Sequence, residues 1–155
     1  MAEALAVVGV VASIVQLVDF STRVVSRLDE FYSAAKETPK SFRDIRTELP
    51  LLATTLKQLK GAIDPTSVAD GSTKALVSVI AGCNEQVAQL DAILAKTLPE
   101  TNDSWRTKGK KAIVSLHHDA KVESITRTLR NYIAILTFYY AAAASTLQPL
   151  TGRIL

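Results

Sequence analysis

From Ala4 to Val18 the chain runs for fifteen residues without a charged side chain, and only Glu3 precedes them as a charge. Chain ends ordinarily fray unless something ties them down. A helix this apolar at the start of a chain therefore has two physical options: it is buried all round inside a helical bundle, or it is stored there until a bilayer takes it. As α-helix, fifteen residues rise about 22 Å, against about 30 Å of bilayer hydrocarbon. The segment falls short of a full span unless Glu3 and Asp19 sit at the two interfaces. Its acidic start, with no Lys or Arg before Arg23, does not fit a secretory signal, which places the resting protein in the cytoplasm.

Two kinds of row run along this helix. Ala2, Ala6, Gly9, Ser13 and Gln16 recur at spacings of 4, 3, 4 and 3 and form a stripe of small or polar residues. Leu5, Val8, Val11, Val15 and Val18 lie on larger apolar faces. In a soluble bundle the small stripe points outward or admits a close neighbour; in a bilayer the same stripe serves helix–helix packing. The residues that would enter a membrane are Ala4, Leu5, Val7, Val8, Val10, Val11, Ile14, Val15, Leu17 and Val18.

Helical periodicity continues through the chain, and no stretch reads as a strand. The first helix is expected to run from about Ala2 to Lys36 and to stop before Thr38-Pro39, because a residue before proline resists the α region. Phe42, Ile45, Leu49, Leu52, Leu56 and Leu59 alternate at 3 and 4 and form a core seam. Pro50 falls inside that seam without breaking its phase, which predicts one kinked helix. Leu76, Ile80, Cys83, Val87, Leu90 and Leu94 form a third seam, with Ser72 or Thr73 as its cap and Pro99 as its end. Trp105, Ile113 and Leu116 mark a short fourth helix. The last helix, capped by Asp119, has a wide apolar face from Val122 to Ala143. No charge occurs between Asn131 and Gly152, which predicts that it is the central strut. The fold class is all-α: an antiparallel bundle of four long helices plus a short one. Residues 1–148 form the bundle, and 149–155 are a tail or the start of a linker.

Composition narrows the function. The net charge of +3 comes from local surpluses of three positive charges over 38–61 and over 100–130. That is too little, too scattered, for a nucleic-acid surface. One cysteine permits neither an internal disulfide nor a cysteine-based zinc site. His117 and His118 are adjacent, so on a helix they diverge by about 100° and do not share a metal. No HExxH, GxSxG or GxxxxGK[ST] pattern occurs. These absences argue against an enzyme and against any cofactor or metal. Asn102-Asp103-Ser104 has the glycosylation pattern, which matters only in a secreted chain. Arg106, Lys108, Lys110 and Lys111 cluster. Such a run is a solvated face or, beside an apolar helix, an attraction to anionic lipid worth about 1 kcal/mol per basic side chain near the surface.

The segments MAEALAVVGVVASIVQLVDF, PKSFRDIRTELPLL, GCNEQVAQLDAILAKTLP, SWRTKGKKAI and LRNYIAILTFYYAAAAS resemble the N-terminal domain of fungal NACHT and other STAND receptors, the SesA group, which is similar to HeLo and HeLo-like cell-death domains. The resemblance covers about residues 1–150. It implies an all-α effector domain placed before a NACHT-type module, which this chain does not carry. It also implies self-association on activation, and release of the first helix, here Ala4 to Val18, into plasma-membrane lipids, so that the protein moves from cytoplasm to plasma membrane. The alternative is a non-lytic adaptor or autoinhibitory module, for which surface charges such as Arg43, Arg46 and Lys57 would matter.

Overall fold

A computed structural model of the protein describes residues 2–34, 40–63, 71–97 and 118–147. Among them the chain forms four α-helices and no strand: α1 Ala2–Ala34, α2 Lys40–Ala62, α3 Gly71–Thr97 and α4 Asp119–Leu147. The short helix expected around Trp105, Ile113 and Leu116, the basic cluster Arg106, Lys108, Lys110 and Lys111, and the tail 149–155 lie outside the described residues.

The predicted seams are the core. Phe42, Ile45, Leu49, Leu52, Leu56 and Leu59 of α2 are all buried, as are Leu76, Ile80, Cys83, Val87, Leu90 and Leu94 of α3. Val122, Ile125, Leu129 and Leu136 complete them from α4. Pro50 sits on the exposed side of α2, which continues unbroken through it. The proline's missing N–H therefore falls on the solvent side, and the buried seam from Phe42 to Leu59 runs past it without a gap.

Two cap expectations are corrected. α3 begins at Gly71, so Ser72 and Thr73 fall inside its first turn. In α4 the Val122 N–H already donates to the His118 carbonyl, so Asp119 is a first-turn residue. Its carboxylate accepts a hydrogen bond from the Ser41 hydroxyl of α2, and its charge favours the positive end of the α4 dipole.

Polar contacts between helices give the directions. Ser41 meets Asp119 near the start of both α2 and α4, and Arg130 Nε donates to Glu48 Oε1 at 2.6 Å further along both. α2 and α4 therefore run side by side in the same direction. α1 and α2 are antiparallel, with Arg46 on α2 paired to Asp29 near the end of α1 at 2.7 Å. Arg27 and Asp91 join the later parts of α1 and α3. Each helix packs on two others: α2 on α4 and α1, α3 on α1 and α4. No close approach joins α1 to α4 or α2 to α3 among the described residues. Successive helices alternate in direction, as expected of an antiparallel bundle, but the step from α2 to α3 crosses a diagonal of the four-helix square.

α4 is consequently a corner post and not the central strut. Its charge-free half faces water at Ala134, Ile135 and Phe138, with Phe138 72% exposed. The α3/α4 corner is close because Gly82 leaves room for the Tyr132 ring; a Cβ at Gly82 would lie 2.6 Å from Tyr132 Cζ. Gly82→Ala is expected to destabilise the bundle by about 1–3 kcal/mol, roughly 2–4 °C of melting temperature per kcal/mol. Urea titrations of Gly82→Ala, Tyr132→Ala and the double variant check this. The two changes should fail to add by more than about 0.5 kcal/mol.

Candidate functional site: the first helix and its seam

α1 spans 33 residues, about 50 Å at helical rise. Its core row is Val10, Ile14, Leu17, Ser21, Val24 and Leu28, all buried, at spacings of 4, 3, 4, 3 and 4. The row of larger residues read from the sequence lies elsewhere. Val11 and Val18 are half-buried on the flank, and Val15 is 46% exposed. Of the small stripe, Gly9, Ser13 and Gln16 are exposed, and a Cβ at Gly9 would meet nothing within 4 Å. Residues 2–8 are helical, but the side chains of Ala2, Ala4, Leu5, Ala6, Val7 and Val8 lie outside the described residues.

The outer face from Gly9 to Val18 is thus uncharged yet open to water, being made of Gly9, Ala12, Ser13, Val15 and Gln16. Charges resume at Asp19 and Arg23, which pair with each other at 3.3 Å, and the Arg23 guanidinium also lies 5.5 Å from the centre of the Phe20 ring. Both side chains of the pair are well exposed, so it contributes little to stability. Gly9–Glu30 is long and apolar enough to cross a bilayer by length and composition. This 22-residue stretch rises about 33 Å, but its extra length over Ala4–Val18 brings in Asp19, Arg23, Arg27, Asp29 and Glu30, so the uncharged part remains short of a full span. Only 28% of it is buried, so it is a surface helix with one core-facing row and not a helix enclosed on all sides.

Polar contacts fasten the end of the bundle remote from Gly9. Arg27–Asp91, Asp29–Arg46 and Glu48–Arg130 all lie there. The hydrogen bond from Arg130 to Glu48, with the attraction of that carboxylate, holds the guanidinium pKa above its already high ordinary value. None of these cross-helix pairs was legible from spacing along one helix. Arg43 and Lys57 are exposed, and Arg46 is engaged with Asp29.

Among the described residues no nucleophile, base and acid are brought together. Cys83 is fully buried and its thiol is pushed up to about 12, chiefly by burial, with a backbone hydrogen bond opposing in part. No group of His, Cys, Asp or Glu able to hold a metal occurs among the described residues. The arrangement defines a helical module whose separable parts are its surfaces and its first helix. Its sequence matches the family described as SesA, the N-terminal domain on NACHT NTPases and P-loop NTPases, over residues 11–136. The chain belongs to the SesA family. The matched stretch contains the seams of α2, α3 and α4 and that of α1 from Ile14 onward, and leaves Ala4–Val10 before it. No curated protein and no solved structure matches the chain.

The buried thiol has a measurable consequence. Because its folded pKa lies above the ordinary thiol range, the folded state keeps a proton that the unfolded state releases as pH rises. Its stabilising effect is complete below the ordinary thiol pKa of about 8.5 and is lost as pH rises toward about 12. Urea stability is expected to fall between about pH 8 and pH 10.5, and Cys83→Ala should flatten that slope while lowering stability at both. An alkylating reagent should leave the native thiol unlabelled at about pH 8 and label it fully in denaturant.

Proposed function

We propose that this SesA domain is the non-catalytic effector of a NACHT-type receptor and acts by releasing α1 into the plasma membrane once copies of it are brought together, causing regulated cell death. The observation that carries this reading is the division of α1 along its length. From Gly9 to Val18 the helix is uncharged on its core row, flank and outer face, while the cross-helix ion pairs of α1 among the described residues lie at Arg27 and Asp29. An outer face without charge is unusual for a surface helix in water, where polar residues normally cover the exposed side. It suits a helix that has a second, apolar environment. In that state Gly9, Ser13 and Gln16 supply the small row on which several copies pack, and Arg106, Lys108, Lys110 and Lys111 add attraction to anionic headgroups. The resting protein is cytoplasmic and the activated one sits at the plasma membrane.

A second reading, a non-lytic adaptor, is favoured by the exposure of Phe138 and Ile135 on the charge-free half of α4. It expects Phe138→Ser, or charge reversal at Arg43 and Lys57, to remove activity.

Val15→Asp separates the two. Val15 is exposed, so the bundle should keep its stability within about 0.5–1 kcal/mol. A carboxylate at the centre of a membrane helix costs about 3 kcal/mol, so insertion should fall roughly a hundredfold. Residues 1–155 fused to an inducible oligomeriser are expected to leak anionic liposomes and kill cells. Val15→Asp and deletion of residues 1–18 should abolish both. Leakage or killing that persists in those variants overturns the membrane reading, as does oligomerised protein that never leaves the cytoplasm.

A further inference from the structure

Three hydroxyl side chains are buried among the described residues: Ser21, Ser41 and Thr126. Two have partners. Ser41 donates to Asp119, and Thr126 donates back to the Val122 carbonyl one turn earlier at 2.8 Å. The same backward bond is made by Thr22, Thr47, Thr55, Thr128 and Thr137. Ser21 is 0% exposed and its hydroxyl has no partner. It is also placed where it matters most. Each core row is apolar at its middle, with Leu49 and Leu52 in α2, Cys83 and Val87 in α3, and Leu129 in α4. In α1 the middle of the row, between Leu17 and Val24, is Ser21.

We propose that Ser21 is a release point, a polar defect in the docking seam of α1 that keeps this helix separable from the bundle. The buried hydroxyls of α2 and α4 are hydrogen-bonded, and the other unpartnered buried polar atom among the described residues, Gln89 Oε1, lies on α3 outside its core row. The inference rests on the reading that α1 leaves the bundle. A buried hydroxyl without a partner forfeits its hydration without recovering a bond, whereas the opened helix returns it to water. The defect therefore favours the α1-open form over the closed one and leaves α2 against α4 untouched. Among the described residues α1 packs on α2 and α3 and makes no close approach to α4, so its opening does not require the α2/α4 pair to separate.

Amide hydrogen exchange on residues 1–155 tests this without a membrane. Ser21→Ala removes the orphan hydroxyl, and exchange over residues 10–28 is expected to slow roughly tenfold, equivalent to about 1.4 kcal/mol, with α2 and α4 changing much less. Ser26→Ala makes the same change in helix propensity on the exposed side of α1 and controls for that effect; it should alter exchange by less than about threefold. Slowing equal to that of Ser26→Ala, equal slowing in all four helices, or faster exchange in Ser21→Ala overturns the proposal. Liposome leakage by Ser21→Ala should lag the natural protein. If the natural protein causes no leakage the membrane function fails, while the exchange measurement still decides whether Ser21 loosens α1.

Discussion

The seam of α2 organises the molecule. Six large apolar side chains from Phe42 to Leu59 lie in one row between α1 and α4, all essentially removed from water. Burying each contributes on the order of 1.5–3 kcal/mol, and the row is continuous through Pro50 because the proline turns its missing donor to solvent. Once α2 is fixed, α1 must return antiparallel to it across the short link at 35–39. α4 is held in the same direction as α2 by Ser41–Asp119 and Glu48–Arg130.

Parallel neighbours bring like ends of two helix dipoles together, which is unfavourable. The acids at that end meet the need. Asp119 lies in the first turn of α4, and Asp44 and Glu48 both act on Arg130. Charge is thereby concentrated where α2 and α4 begin and where α1 and α3 end. α1 accordingly has two different halves among the described residues: Arg27 and Asp29 carry ion pairs to α3 and α2, and the first half is buried through Val10, Ile14 and Leu17.

Cys83 is a core residue with a raised thiol pKa, and its place in the α3 seam between Ile80 and Val87 makes it a packing residue. Membership of the SesA family agrees with a module that acts through surfaces, since such domains precede an NTPase that supplies the nucleotide chemistry.

The helical class, the seams of α2 and α3 and the uncharged start of the chain were all legible in the sequence, because a buried row needs apolar residues at 3 and 4 spacing whatever its partner is. Which helices meet was not, since periodicity marks a buried face without naming its neighbour. A charge-free α4 therefore read as a central strut although it is a corner post with Phe138 in water. The cross-helix pairs, the fit of Tyr132 over Gly82 and the unpartnered hydroxyl of Ser21 depend on atoms far apart in the chain. By itself the sequence determined that this protein is a bundle with an apolar first helix. Only the tertiary structure decided how firmly that helix is held, because a serine in an apolar row is harmless or costly according to whether a partner lies within hydrogen-bond reach.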